Sequence, residues 1–195
     1  MCGIVGLFDT HGVMEIDRQL LHNMNETQHH RGPDEGGIHV ELGLGLGHRR
    51  LSIIDLSAGQ QPLFNEDHSV VVTFNGEIYN FNALMEELLR LGHTFRSRCD
   101  TEVIVHAWEQ WGEACVQHFD GMFAFAIWDR NQKTIFLARD HLGIKPLFWS
   151  LLASGLLVFG SELKSLLVVP SLLRKIDDCA VEDYFAYGYI PEPRT

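Results

Sequence analysis

The chain opens Met1-Cys2-Gly3-Ile4-Val5-Gly6. Removal of the methionine makes Cys2 the N-terminal residue, with a thiol and a free α-amine on one Cα. A thiolate attacks an acyl or amide carbon well, but a free thiol is mostly protonated at neutral pH. An α-amine titrates near neutrality, at about 8. It can accept the thiol proton, directly or through a water, and return it to the leaving group. This is the thiol counterpart of the threonine–amine pairing in covalent catalysis. Met-Cys alone also fits a small second residue that merely permits methionine removal.

Attack on an amide creates a tetrahedral oxyanion, which needs donors already aimed at it. Asn75-Gly76 offers two, the Asn75 side-chain NH₂ and the Gly76 backbone N–H; read in isolation, the pair is an ordinary β-turn. A free amino acid as substrate needs its charged ends gripped. Arg50 can take an α-carboxylate in bidentate fashion and Asp100 an α-ammonium, or they are a surface arginine and a helix N-cap.

These residues must be held by a folded core. Ile4 to Phe8 reads as a buried strand, and residues 15–28 as an amphipathic helix with Ile16, Leu20, Leu21 and Met24 on one face. His30 to Gly37 is dense in turn residues and reads as a loop. Ile38 to Val40 and Leu42 to His48 read as strands, Leu51 to Asp55 as a short apolar run and Ser57 to Asn65 as a loop. Val70 to Phe74 is a β-branched strand expected to end at an Asn75-Gly76 turn. Asn80 or Asn82 is expected to cap a helix over 82–91, and Asp100-Thr101 the next helix, which ends at Gly112. Met122 to Trp128 is apolar throughout, as expected of a strand covered on both faces. It is followed by Thr134 to Ala138, a hairpin of Leu147 to Leu152 with Leu156 to Phe159, a helix over 162–167 capped by Ser161, and a last helix over 179–187. Many antiparallel strands with few helices imply two sheets faced by helices.

Composition sets outer limits. The 195 residues are 46% hydrophobic and 21% charged, enough for a core and unlike a disordered chain. A net charge of −11 argues against nucleic acid or an anionic membrane as partner. No window is long and apolar enough to span a bilayer, no secretory leader is present, and Cys2 displaces Gly3 from the myristoylation position. The cysteines, Cys2, Cys99, Cys115 and Cys179, are widely and irregularly spaced, which fits reduced thiols in a cytoplasmic protein better than disulfides or a zinc ribbon. Eleven histidines invite a metal, but no H-x-x-x-H pair or Cys/His cluster appears, so no metal site is expected.

Eight motifs occur in order: Cys2 to Gly6, His30 to Asp34, Arg50 to Asp55, Phe74 to Asn80, Asp100 to Glu102, Gly121 to Ala126, Arg139 to Leu147, and Ser161 to Lys164. Together they resemble the glutaminase domain of class II glutamine amidotransferases, N-terminal nucleophile hydrolases, and most of all the asparagine synthetase branch. The resemblance implies an α+β fold, a four-layer αββα sandwich of two mainly antiparallel sheets. It implies that Cys2 forms a glutamyl thioester and releases ammonia, that Asn75 and Gly76 make the oxyanion hole, and that Arg50 and Asp100 clamp glutamine. It also places Leu51, Ser52, Ile53, Ile54 and Glu77 along the glutamine pocket and the loop from His30 to Asp34 near the nucleophile, with that loop's individual roles open.

In asparagine synthetases a second domain binds ATP and receives the ammonia. The resemblance therefore implies a glutaminase domain over 2–178 and, over 179–195, a linker into a C-terminal synthetase domain that lies beyond this sequence. No cofactor is expected for the glutaminase chemistry, and ATP and magnesium belong to the further domain. The expected partners are glutamine and that domain, with a homodimer also compatible. Apolar sheet residues that face the further domain are expected to lie exposed. The same glutaminase domain could serve a different amide acceptor, and a catalytically silent assembly domain would be marked by a lost nucleophile or a broken Asn-Gly, neither of which occurs.

Overall fold

The computed structural model describes residues 1–51 and 59–191. Nine strands form two antiparallel sheets. The first runs in the order β2 (Glu35–Glu41), β3 (Leu44–Arg50), β1 (Gly3–Asp9), β9 (Leu156–Gly160) and β8 (Phe148–Leu151). The second runs β4 (Leu63–Phe64), β5 (Val70–Ile78), β6 (Gly121–Asp129) and β7 (Thr134–Arg139). Helices α1 (Arg18–Glu26) and α4 (Leu163–Leu166) lie on the first sheet. Helices α2 (Phe81–Arg90) and α3 (Asp100–Trp111) cover the second, and α5 (Asp178–Tyr187) follows α4.

Three apolar clusters separate these four layers. Val5, Leu7 and Val158 meet Leu21, Met24 and Leu166 on the outer side of the first sheet. Val70, Val72, Phe74, Phe123 and Phe125 meet Leu84, Leu88, Val103 and Trp108 on the outer side of the second. Between the sheets lie Leu44, Leu46, Val71, Ala126, Trp128 and Phe159. The expected αββα sandwich is therefore the fold.

Strand side chains alternate between faces. Even-numbered positions of β1 and β3 and odd-numbered positions of β5 thus point between the sheets. Small residues let the sheets approach: a Cβ on Gly6 would lie 2.1 Å from the Phe159 ring, so that ring occupies the space a side chain would need.

Several boundaries differ from the sequence reading. Asn75-Gly76 is no turn: β5 pairs with β6 without a break from Val70↔Asp129 to Ile78↔Gly121. Tertiary pairing along an apolar partner strand overrides the local turn preference. The loop over 30–37 is shorter than expected, because β2 already pairs with β3 at Glu35↔Arg50. Two elements were missed, the short β4 and a 3-10 turn at Gly112–His118.

Capping also differs. Asp17 caps α1, its Oδ1 accepting from the N–H groups of Gln19 and Leu20. Asn80 precedes α2 but makes no capping bond; its amide instead donates to the His118 carbonyl and accepts from Asp120 N–H. The residue at the N-cap of α3 is Cys99, not Asp100. Ser161 Oγ accepts from Ile4 N–H at 3.0 Å, tying β1 to the end of β9, and Glu162 takes the cap position of α4.

Exposed apolar side chains include a group around the edge strand β8 of the first sheet. Phe148, Trp149 and Leu151 on β8, Leu163 on α4, and Leu173 and Ile176 beyond it are all open to solvent. No described helix is long and apolar enough to cross a membrane.

Phe159 is fully buried between the sheets, and nothing nearby can collapse into its volume without moving a sheet. Phe159→Ala is expected to lower stability by about 3–5 kcal/mol, measured as a shift of the denaturant midpoint at unchanged m-value.

Candidate functional site

Where the two sheets meet, Cys2, Arg50, Leu51, Asn75, Gly76, Glu77 and Asp100 border one cleft of about 230 Å³. That volume lies below the roughly 300–1,000 Å³ of drug-sized ligand pockets and suits a ligand the size of an amino acid. The sequence-predicted residues Ser52, Ile53 and Ile54 lie outside the described residues; all the others converge here. A larger, mainly apolar depression, about 660 Å³, lies over β8 and α4, with Ser150, Arg174 and Lys175 as its polar lining.

Cys2 directly precedes β1, at a position whose alternation faces the second sheet. Its backbone carbonyl accepts from Arg31 Nε–H at 2.9 Å. Arg31 is held in turn by Glu162 Oε1 at 3.2 Å, and Glu162 also meets His30 and Lys164. The loop from His30 to Asp34 thereby gains a definite structural part, which the sequence reading had left open. Arg31 anchors the backbone of the nucleophile, and a side chain on Gly32 would strike the Arg49 backbone. The Cys2 thiol points toward the Leu51 carbonyl, 3.8 Å away. Burial pushes this thiol above its ordinary value, against the opposing pull of the Leu51 hydrogen bond, the Met1 amine and Arg50. The thiol therefore needs a base to become a nucleophile at neutral pH.

Asn75 is 1% exposed, and its Nδ2 is buried with no hydrogen-bond partner among the described residues. Leaving a buried donor unsatisfied costs about 1–3 kcal/mol. Such a group calls for an explanation, and because Asn75 borders the cleft the oxygen of a bound molecule can supply one.

Gly76 N–H is aimed by the ladder. Gly76 stands opposite Phe123, but Phe123 N–H donates to Asp140 Oδ2 at 3.2 Å, so these two residues do not exchange backbone bonds. Strand N–H groups alternate in direction. On the free edge of β5, Phe74 N–H donates to Gln61 Oε1 at 2.6 Å and Ile78 N–H to Asp100 Oδ2 at 3.1 Å. The Gly76 N–H lies on that same edge between them, where the residue borders the cleft. Only glycine fits, because a Cβ would sit 2.3 Å from the Met122 carbonyl oxygen.

Across the sheets, His48 of β3 hydrogen-bonds to the Phe74 carbonyl at 3.1 Å. Burial drives this imidazole down to about 3, so it is neutral, with its proton on the Nε2 that donates to that carbonyl. It ties the strand carrying Arg50 to the strand carrying Asn75. Sequence reading missed it, as it missed Gln61 and Lys145, and it left the role of Arg31 open. The signal available was only alternation: His48 and Arg50 share a face.

Arg50 is buried, and its guanidinium reaches Glu35 Oε2 at 3.1 Å. Asp100 opens α3 without capping it, since its carboxylate turns toward β5. Burial pushes Asp100 up to about 6, helped by the neighbouring Glu77 and opposed by the Ile78 N–H. Burial also raises Glu77, against the pull of the buried Lys145 at the cleft wall. The cleft thus holds a cation from β3 and a carboxylate from α3, with a nucleophile and unsatisfied donors on the strands.

A family described as "Glutamine amidotransferase domain" matches residues 1–195. The chain is 41% identical to "Asparagine synthetase [glutamine-hydrolyzing] 1" of Bacillus subtilis, covering 100% of this chain and 31% of the relative. It is 40% identical to "Asparagine synthetase [glutamine-hydrolyzing] 2" of Oryza sativa, covering 100% and 31%. The chain thus spans about a third of the length of these relatives. Among solved structures it resembles the glutamine phosphoribosylpyrophosphate amidotransferase of B. subtilis. There the TM-score is 0.70 at 21% identity, over 90% of this chain and 45% of that one; this likeness concerns the fold alone.

Because Asp100 binds its proton more tightly in the folded chain than in the unfolded one, its own contribution to stability falls as pH rises from about 4 to about 6. Asp100→Asn removes that dependence. Relative to the variant, the wild type is expected to lose on the order of 2–3 kcal/mol between pH 4 and pH 7, measured by denaturation at both pH values without substrate.

Proposed function

The chain belongs to the glutamine amidotransferase domain family, and on that premise we propose that its cleft hydrolyses glutamine to glutamate and ammonia through a thioester on Cys2. The observation that carries this reading is the buried, unpartnered Asn75 Nδ2 in the same cleft as the thiol.

After methionine removal the Cys2 amine takes the thiol proton. The thiolate attacks the side-chain amide carbon of glutamine, and the carbonyl oxygen becomes an oxyanion. Asn75 Nδ2–H and Gly76 N–H receive it, replacing the substrate's water. The ammonium of Cys2 then gives its proton to the departing nitrogen, which leaves as ammonia. Water attacks the thioester, its proton passes to the amine, and glutamate departs as the thiol re-forms. Arg50 holds the α-carboxylate and Asp100 the α-ammonium, with Leu51 and Glu77 along the wall. Binding of an ammonium draws the Asp100 proton off, so the carboxylate is charged when it is needed.

This chemistry needs no cofactor. The ammonia serves an ATP-dependent synthetase portion of a longer protein, and the relatives' names support asparagine synthesis as its use. ATP and magnesium act in that portion, which docks on this domain. The exposed apolar side of β8 and α4 suits a protein neighbour.

Cys2→Ala is expected to abolish glutamate release and covalent labelling by a diazo-ketone glutamine mimic. Asn75→Ala is expected to lower kcat by about 10²–10³ with a smaller change in KM. Unchanged turnover in Cys2→Ala would remove the thiol from the reaction.

Protein that retains Met1 has an amide nitrogen in place of the Cys2 amine. Its glutaminase turnover is expected to be nearly nil, measured on fractions whose intact mass includes or lacks the methionine. Equal rates in the two fractions would exclude the amine as base.

A further inference from the structure

On the far side of α3 from its first residue, three side chains from two elements converge. His93 follows α2, and His106 and Glu109 lie on one face of α3. Their ligand atoms all lie within 4.8 Å of one another. Glu109 Oε2 is 2.7 Å from His106 Nδ1 and 3.5 Å from His93 Nδ1. Two imidazole nitrogens therefore aim at a single carboxylate oxygen.

The other atom of each group is turned to a second neighbour. His93 Nε2 meets the Gln110 side-chain oxygen at 3.1 Å, so it carries the proton, and in neutral His93 the Nδ1 lone pair faces Glu109. Glu109 Oε1 accepts from the Asn65 amide at 2.7 Å, which leaves Oε2 directed inward. His106 is 1% exposed, and its Nε2 has no hydrogen-bond partner among the described residues. Two carboxylate oxygens stand just beyond hydrogen-bond reach of that nitrogen, Glu102 Oε1 at 3.7 Å and Glu66 Oε1 at 3.8 Å. With its proton on Nδ1, His106 would turn a bare lone pair toward those two carboxylates. With its proton on Nε2, it turns that lone pair toward Glu109 instead. Against the pull of burial, hydrogen bonds to Glu102 and Glu109 and the charge of Glu66 lift His106 to about 9, so with no ion bound a second ring proton supplies the positive charge among these oxygens, and a divalent ion at Nδ1 would take that proton's place.

We propose that His93, His106 and Glu109 bind a divalent transition-metal ion, zinc foremost, as a structural clamp between α3 and the segment that follows α2. Two imidazoles and one carboxylate make a donor set suited to zinc, with water completing a tetrahedron. Bonds of about 2.0–2.2 Å set tetrahedral ligands about 3.3–3.4 Å apart. The His93–Glu109 pair at 3.5 Å already matches, and the His106–Glu109 pair opens from 2.7 Å by about 0.6–0.7 Å. Gln110 and Asn65 act as outer partners that orient the ligands. The ion joins residues 13 positions apart, so no short sequence spacing announces it. It also braces the helix whose first residue, Asp100, borders the cleft.

The test is titration of the EDTA-stripped full chain with zinc chloride by calorimetry, in a Cys2→Ser background that keeps the cleft thiol from binding the ion. One ion per chain is expected, with affinity lowered at least tenfold by His93→Ala and by Glu109→Gln, both at partly exposed positions whose folding circular dichroism verifies. Cobalt substitution is expected to give visible tetrahedral bands without an intense near-ultraviolet thiolate band. Absence of stoichiometric binding, an affinity in either variant equal to that of the parent, or a thiolate band would each overturn the proposal.

Discussion

Side chains alternate across a strand, and two sheets laid face to face turn that alternation into a site. Cys2 before β1, Arg50 on β3 and Asn75 on β5 occupy positions of inward parity. A slip of one residue in any of these strands would turn its group toward a helix layer instead. The pairing of β1 with β3 and of β5 with β6 therefore does more for the chemistry than any single contact within the cleft. Small residues make the approach close enough: Gly6 admits the Phe159 ring, and Ala124 and Ala126 keep the inner face of β6 low.

Within that frame, burial sets the electrostatics. It holds the Cys2 thiol protonated, lifts Asp100, and keeps His48 neutral and able to serve as a strut between the sheets. The groups that moderate burial are equally specific. Arg31 fixes the Cys2 carbonyl, and Glu35 holds the Arg50 guanidinium. Polar groups so placed keep their orientation before a ligand arrives, and the Asn75 Nδ2 and the Gly76 N–H are left for an incoming oxygen to complete. His93 after α2 and Glu109 on α3 show the same logic away from the cleft, each pinned by a second neighbour, Gln110 and Asn65.

Much of the fold was legible because apolar periodicity is local. The strands at Ile4 to Phe8 and Met122 to Trp128 and the helix through Leu84 and Leu88 stand where their patterns put them. The failures share a cause. Asn75-Gly76 carries a strong turn signature, yet β6 pairs with it residue for residue. Asp100 and Asn80 have capping side chains, but each bonds a distant backbone group instead, Ile78 N–H and the His118 carbonyl. In each case a long-range partner outcompetes a local preference worth only about 1 kcal/mol.

The sequence by itself determined the chemistry on offer: a thiol and amine on one residue, an amide and a glycine N–H for an oxyanion, and opposite charges for the two ends of an amino acid. Its eight ordered motifs also determined the family, because side-chain identity and order are written directly in the chain. Tertiary structure alone decided that Cys2, Arg50, Asn75 and Asp100 share one cleft, that His48 and Arg31 hold their backbone supports, and that His93 faces Glu109. Those relations join residues far apart in number, and only strand register and layer packing bring them within reach.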